Sequence, residues 1–205
     1  MKTLGGFALR FALLFGVLAW PWPVLRQAAG AGLRAQARWL VGIALPGYGC
    51  RVETFSDPRH PTLDSRVVVA DLKKLGPDGK GLAVAISFDS SSQSWIPLAL
   101  WIALGAATPL PWSERLKALL AGALVIQLLV AATILVSVSS GLATGSWPAW
   151  ERLSLRLANR LLVENIWFNF VPPFLAWACW LGWAGHWEQL AKPLFPHCAL
   201  PTARL

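Results

Sequence analysis

The stretch LKALLAGALVIQLLVAATILV, residues 116–136, carries one charge, Lys117 at its start, and an apolar run long enough to cross a bilayer. Just before it, WIPLALWIALGAATPL (95–110) has the same character. The connector PWSERLK (111–117) is short enough to demand a tight antiparallel turn. Together they predict a transmembrane hairpin over 93–140. Ala103, Gly105, Ala106 and Ala107 in its first arm, and Ala118, Ala121, Gly122 and Ala123 in its second, are small residues of the kind that let helix backbones approach closely.

Working outward, four windows satisfy the roughly 20-residue requirement for a span: 5–25, 95–112, 117–138 and 161–184. Of the 205 residues 56% are hydrophobic and 14% charged, with a mean hydropathy of +0.52, more apolar than a soluble domain of this size needs. Thirteen tryptophans collect near the expected span ends, among them Trp20, Trp22, Trp95, Trp112, Trp147, Trp150, Trp183 and Trp187, as interfacial indoles do. The expected fold class is therefore mainly α: a polytopic membrane protein with four transmembrane helices, interfacial amphipathic helices and a small antiparallel β insert.

The N-terminal anchor, 1–25, reads GFALRFALLFGVLAWPWPVL from Gly6, with Arg10 near enough to one end to snorkel. No small-x-small cleavage site follows the apolar run, so the segment is expected to stay in place. In 26–47, Arg34 and Arg38 lie one turn apart beside Leu33, Trp39 and Leu40, the pattern of a helix lying along a lipid surface; a helical extension of the anchor is equally consistent.

Residues 48–92 hold six basic and six acidic side chains and read as a soluble module. SRVVVADL (65–72) and LAVAISF (82–88) flank KKLGPDGKG, a hairpin signature, and CRVETF (50–55) adds a third strand. So short a module has little core of its own and is expected to lean on the bilayer surface or on a partner.

The loop and amphipathic segment 141–160 runs into the fourth span, 161–184, and a tail follows over 185–205. Arg152, Arg156, Arg160 and Glu164 are spaced by four and form one helical stripe, with Leu153, Leu157 and Leu161 on the neighbouring face. The arginines of this stripe, with Arg34 and Arg38, suit anionic headgroups. Glu164 can pair with Arg160 near the boundary, while Asn165 and Asn169 share a face and need hydrogen-bonding partners. Pro172-Pro173 removes two backbone donors and predicts a kink in the span. Glu164, Asn165, Asn169, Pro172 and Pro173 are thus the candidate partner-facing surface.

Catalytic patterns are absent: no H-E-x-x-H, P-loop, G-x-G-x-x-G or G-x-S-x-G occurs. The three cysteines, Cys50, Cys179 and Cys198, have no metal-ligand spacing, so no metal or cofactor is expected. The net charge of +8 reads against lipid headgroups rather than nucleic acid. Two rival readings stay open: a membrane enzyme with Cys50 as nucleophile, activated by Arg51 and His60, and a transporter component using Glu164 with Asn165 and Asn169.

The anchor, the β-rich insert, PLALWIALGAATPLPWSERLKALLAGALVI (97–126) and the proline-centred FVPPFLAW (170–177) together resemble the small integral membrane proteins associated with bacterial exosortases. The resemblance is architectural and covers most of the chain. It implies a multi-pass protein of the bacterial inner membrane, without chemistry of its own, beside a membrane transpeptidase that processes sorting signals. The exosortase pattern itself, a cysteine in a Cys-Ser-Gly context, is missing, since Cys50 stands in Gly-Tyr-Gly-Cys-Arg-Val. The resemblance places residues 26–92 outside the cytoplasm, whereas the distribution of Lys and Arg near the span ends points the other way.

Overall fold

The computed structural model describes residues 2–20, 22–56, 58–71, 83–143, 149–162 and 170–183. They form α1 (Lys2–Ala19), α2 (Pro23–Ala44), β1 (Tyr48–Thr54), β2 (Ser65–Asp71), β3 (Ala83–Phe88), a π turn at Ser91–Trp95, α3 (Ile96–Ala107), α4 (Trp112–Leu142), α5 (Ala149–Leu162) and α6 (Val171–Trp183).

The 31 residues of α4 make it about 46 Å long, more than the roughly 30 Å of a hydrocarbon core. Its buried stripe, Ala118, Gly122, Ile126, Val130, Ile134, Val138 and Leu142, repeats every four residues from one end to the other. Near its start that stripe meets α3. A Cβ on Gly122 would overlap the Trp101 ring, and the Trp101 indole donates to Leu119 O at 3.3 Å. Near its end it meets the sheet, where a Cβ on Gly141 would lie 2.5 Å from Val84 Cγ1. On its other side α4 leaves Leu116, Leu120, Leu124 and Leu128 exposed.

The expectation of four transmembrane helices is overturned. Among the described residues one helix, α4, is long and apolar enough to cross a membrane; α1 and α2 reach that standard only if the pair, bent by 74° at the break between them, is taken as a single span. Only 28% of the most apolar window of α4 is buried, unlike the core helix of a soluble protein. The described helices of the other two windows are short: α3 has 12 residues and α6 has 13, about 18 and 20 Å of helix. Apolar composition counts residues regardless of where the backbone stops being α-helical. In the window 95–112 the helix ends at Thr108, whose extended ψ of 129° is what the following Pro109 favours. In the window 161–184, Pro172 and Pro173 stand in the first turn of α6, where helix N–H groups lack acceptors anyway, and residues 163–169, on the other side of the predicted kink, lie outside the described residues.

The three strands lie where the hairpin signature puts them, as an antiparallel meander in the order β1-β2-β3, with Val52 opposite Val67 and Val67 opposite Ile86. Alternation places Val52, Val67, Val69, Val84, Ile86 and Phe88 on one face. That face shares one core with Leu33, Ala37 and Val41 of α2 and Val138 and Leu142 of α4. The module therefore leans on its own chain. The segment predicted to lie along a lipid surface, 26–47, is largely α2, whose buried side packs on β1 and β2.

The break between α1 and α2 is stapled by two indoles. Trp22 Nε1 donates to Val17 O at 2.9 Å, and Trp95 Nε1 donates to Leu18 O at 2.8 Å, so carbonyls at the end of α1 are satisfied without a continuing helix. Phe7, Phe11 and Phe15 stack along α1, and Phe7 and Phe11 reach Trp177 and Phe174 of α6. Buried Thr108 donates to Leu104 O at 2.6 Å and accepts from Trp177 Nε1 at 3.0 Å, joining the end of α3 to α6.

Candidate functional site

The densest polar cluster among the described residues sits where α2 meets the sheet. Arg26, Gly30 and Arg34 are spaced by four on α2 and form one stripe; opposite them lie Asp64 and Ser65 at the start of β2 and Ser90 just after β3. Asp64 is the hub. Its Oδ2 accepts from Ser90 Oγ at 2.5 Å and from Arg26 Nε at 3.5 Å, and its Oδ1 accepts from Ser65 Oγ at 3.0 Å and from the Ser90 amide at 3.3 Å. Arg26 also donates to the Pro61 and Thr62 carbonyls at 2.9 and 3.0 Å, and Arg34 Nη1 donates to Ser65 Oγ at 3.1 Å. Asp89 Oδ1 then receives the amides of Ser91 and Ser92, opening the π turn.

Gly30 makes this possible: a Cβ there would lie 2.9 Å from Arg34 Nη1 and 3.4 Å from Ser90 Oγ. Ser65 and Ser90 are fully buried, and among the described residues no histidine bonds to either, so the cluster as described offers neither the access nor the base that a serine nucleophile needs. It works as a polar joint, in which the Arg26 guanidinium and two serine hydroxyls hold one carboxylate, Arg34 holds the Ser65 hydroxyl, and α2, the sheet and the π turn are locked together.

A second polar group lies on the other side of α2 and is open. A groove of about 480 Å³ is lined by Leu25, Ala28, Ala29, Gly32 and Gln36 of α2, Ser94 and Trp95 of the π turn, Leu98 of α3 and Gln127 of α4. Gln36 Nε2 donates to Gln127 O at 3.0 Å.

Of the sequence-predicted site residues, Arg34 belongs to the joint. Arg38 is exposed on α2, and Arg156 and Arg160 are exposed on α5 beside exposed Leu153 and Leu157. Arg152 lies on the same helix. Pro172 and Pro173 border a small cavity with Gln93 and Thr133. Glu164, Asn165 and Asn169 lie outside the described residues, so the proposed polar face of the last segment is present only through its prolines.

Cys50 points to the inner face of β1 and is half-buried. Burial pushes its thiol up from the ordinary cysteine range, and the positive charge of Arg38 partly offsets that rise. His60 lies exposed in the β1–β2 connection, and no hydrogen bond joins it to Cys50 among the described residues. A protonated, half-buried thiol without a base is a poor nucleophile. Among the described residues no three His, Cys, Asp or Glu side chains gather in a way that would hold a metal.

Sequence reasoning missed Asp64, Ser65 and Ser90, which lie 26 or more positions from the residues they bond to across the joint, except for the adjacent Asp64-Ser65 pair, and are ordinary in type. The one available signal was the spacing of Arg26, Gly30 and Arg34, a cation-glycine-cation stripe that a close-packed polar partner would explain. Compared with family models, curated proteins and solved structures, the chain matches none.

Proposed function

We propose that this chain is a non-catalytic accessory protein of the bacterial inner membrane that supports a membrane-bound, exosortase-like protein-sorting enzyme. The observation that carries the reading is the surface of α4: its leucines at 116, 120, 124 and 128 are uncovered, while the densest polar cluster among the described residues commits its carboxylate and both serine hydroxyls to internal hydrogen bonds. Uncovered leucines on a helix of this length suit lipid or the helices of a neighbour. A polar joint committed in this way supplies rigidity. The architectural resemblance to exosortase-associated proteins names the class of neighbour.

α5 supports the membrane part of the reading. It exposes Arg156 and Arg160 next to Leu153 and Leu157, so one surface offers cations to anionic headgroups and apolar side chains to the acyl boundary. Each arginine near such a surface is worth on the order of 1 kcal/mol.

The test is purification of the tagged full chain from bacterial membranes in mild detergent. The reading predicts one membrane enzyme at near-stoichiometric yield, with a transpeptidase activity that falls when this chain is deleted. A chain that purifies alone, with sorting unaffected by its deletion, refutes the reading.

A further inference from the structure

The surface of α4 changes character at its middle. Trp112, Leu116, Leu120, Leu124, Val125 and Leu128 are exposed, whereas no residue from Leu129 to Ser140 is. Polar side chains divide at the same point. α4 has no charged, amide or hydroxyl side chain from Ala118 to Ile126, while Gln127, Thr133, Ser137, Ser139 and Ser140 follow. α1 from Phe11 to Ala19, all of α3 and all of α6 are equally free of such groups.

Contacts show where this apolar band ends. Trp95 donates to Leu18 O at the end of α1, and Trp95 and Gln127 border one groove, so the end of α1, the start of α3 and the middle of α4 lie at one level. Beyond that level α2 turns off α1 by 74°, and the sheet covers the last turns of α4, where Gly141 meets Val84. The covering elements are charged outside, with exposed Arg38 on α2 and with Arg51, Glu53 and Arg66 on the outer face of the sheet. At the opposite end Trp177 links Phe7 of α1 to Thr108, and charges return: Arg10 is exposed one turn from Phe7, Glu114 pairs with Lys117, and Arg115 reaches Ala106 O at 3.5 Å.

An apolar band between two charged zones suits a bilayer. From Trp112 to Leu128, α4 runs for about 24 Å, at the short end of what a crossing helix needs. The identity of the cover follows from where the bare residues lie. α3 packs on α1 on one side and on α4 on the other, so Leu9, Leu13 and Val17 of α1 are uncovered on one flank and the α4 leucines on another. One partner helix covers one stripe; a fluid of acyl chains covers every flank.

We propose that lipid acyl chains surround this band, that the bilayer surface lies at the level of Leu18, Trp95 and Gln127, and that α2, the sheet and the second half of α4 stand among headgroups and water beyond it. This rests on the membrane part of the functional reading and not on its partner, and it assigns which half of α4 meets lipid.

The test uses the full chain, its own cysteines replaced by alanine, in vesicles of phosphatidylethanolamine and phosphatidylglycerol. A single bimane-labelled cysteine replaces Leu13, Leu120, Arg51 or Ala85. At Leu13 and Leu120, lipid brominated along its acyl chains should quench about tenfold more than aqueous iodide, which does not enter hydrocarbon, and at Arg51 and Ala85 the order should reverse. In the unlabelled chain Leu124→Asp should cut recovery in the membrane fraction by about tenfold, while Ala85→Asp should leave it unchanged. Iodide reaching Leu13 and Leu120 as readily as Arg51 would overturn the proposal and the membrane reading with it. Lipid quenching at Arg51 and Ala85 as strong as at Leu120 would overturn the proposed surface and leave the membrane reading standing. A label at Leu13 or Leu120 shielded from both quenchers would show protein on that flank, a second copy or a partner, and would overturn the lipid cover alone.

Discussion

The two faces of α2 teach opposite lessons about polar groups. On one, Arg26 and Arg34 flank Gly30 and close on Asp64, Ser65 and Ser90, so that each side chain of the joint bonds to another. On the other, Gln36 reaches α4 with one nitrogen, and Ser94 and the Gln127 amide remain without partners among the described residues. A saturated cluster stabilises the fold, because removing any member strands the rest. An unsaturated one adds little to stability. Variants on the two faces should therefore differ in their effect on folding.

The largest effect is expected from Asp64→Ala, which leaves two serines and a guanidinium facing a vacancy. Because Arg26 is partly exposed, the expected loss is about 2–3 kcal/mol rather than the full cost of breaking a buried pair. Thermal unfolding in detergent measures it, and an unchanged midpoint would show that the joint is incidental. Gln127→Leu should behave oppositely: the backbone carbonyl that receives Gln36 is kept, so the melting temperature should hold or rise slightly. Equal damage to stability from both variants would erase the distinction between the faces.

A smaller effect is expected at the α1–α2 break. Trp95→Phe exchanges the indole for a smaller phenyl ring and removes the donor to Leu18 O, at a cost of about 1–2 kcal/mol from the lost hydrogen bond and packing together. Protease cleavage near residues 19–23 should accelerate as the break loosens. The smallest effect concerns Cys50. Because burial raises its pKa, the neutral thiol is favoured in the folded state; that stabilisation is complete below the ordinary cysteine range and is lost as pH rises through the raised value. Alkylation of Cys50 in the folded protein should accordingly reach half its limiting rate at higher pH than a free thiol does. A midpoint below that of a free thiol would return Cys50 to consideration as a nucleophile.

Local pattern was enough wherever a single element decides its own form. The alternation in CRVETF, SRVVVADL and LAVAISF specifies three strands, and the Pro-Asp-Gly turn specifies the hairpin between two of them. The run at 116–136 specifies a long apolar helix. The same reasoning overcounted spans in 95–112 and 161–184, because hydropathy is a sum over residues whereas crossing a bilayer requires unbroken helix. Pro109 sets where α3 stops and Pro172-Pro173 stand in the first turn of α6, and the described helices in those windows have 12 and 13 residues.

By itself the sequence determined the apolar helix, the three strands and the lack of any catalytic motif, since each depends on residues within a turn or two of one another. Only the tertiary structure decided that the sheet rests on α2 and the end of α4, that Asp64 receives Arg26 while Ser65 receives Arg34, and that Ser94, Gln36 and Gln127 share a groove. Those are meetings of residues 26 to 91 positions apart in the chain, set by which apolar faces must cover one another, and no local periodicity encodes them.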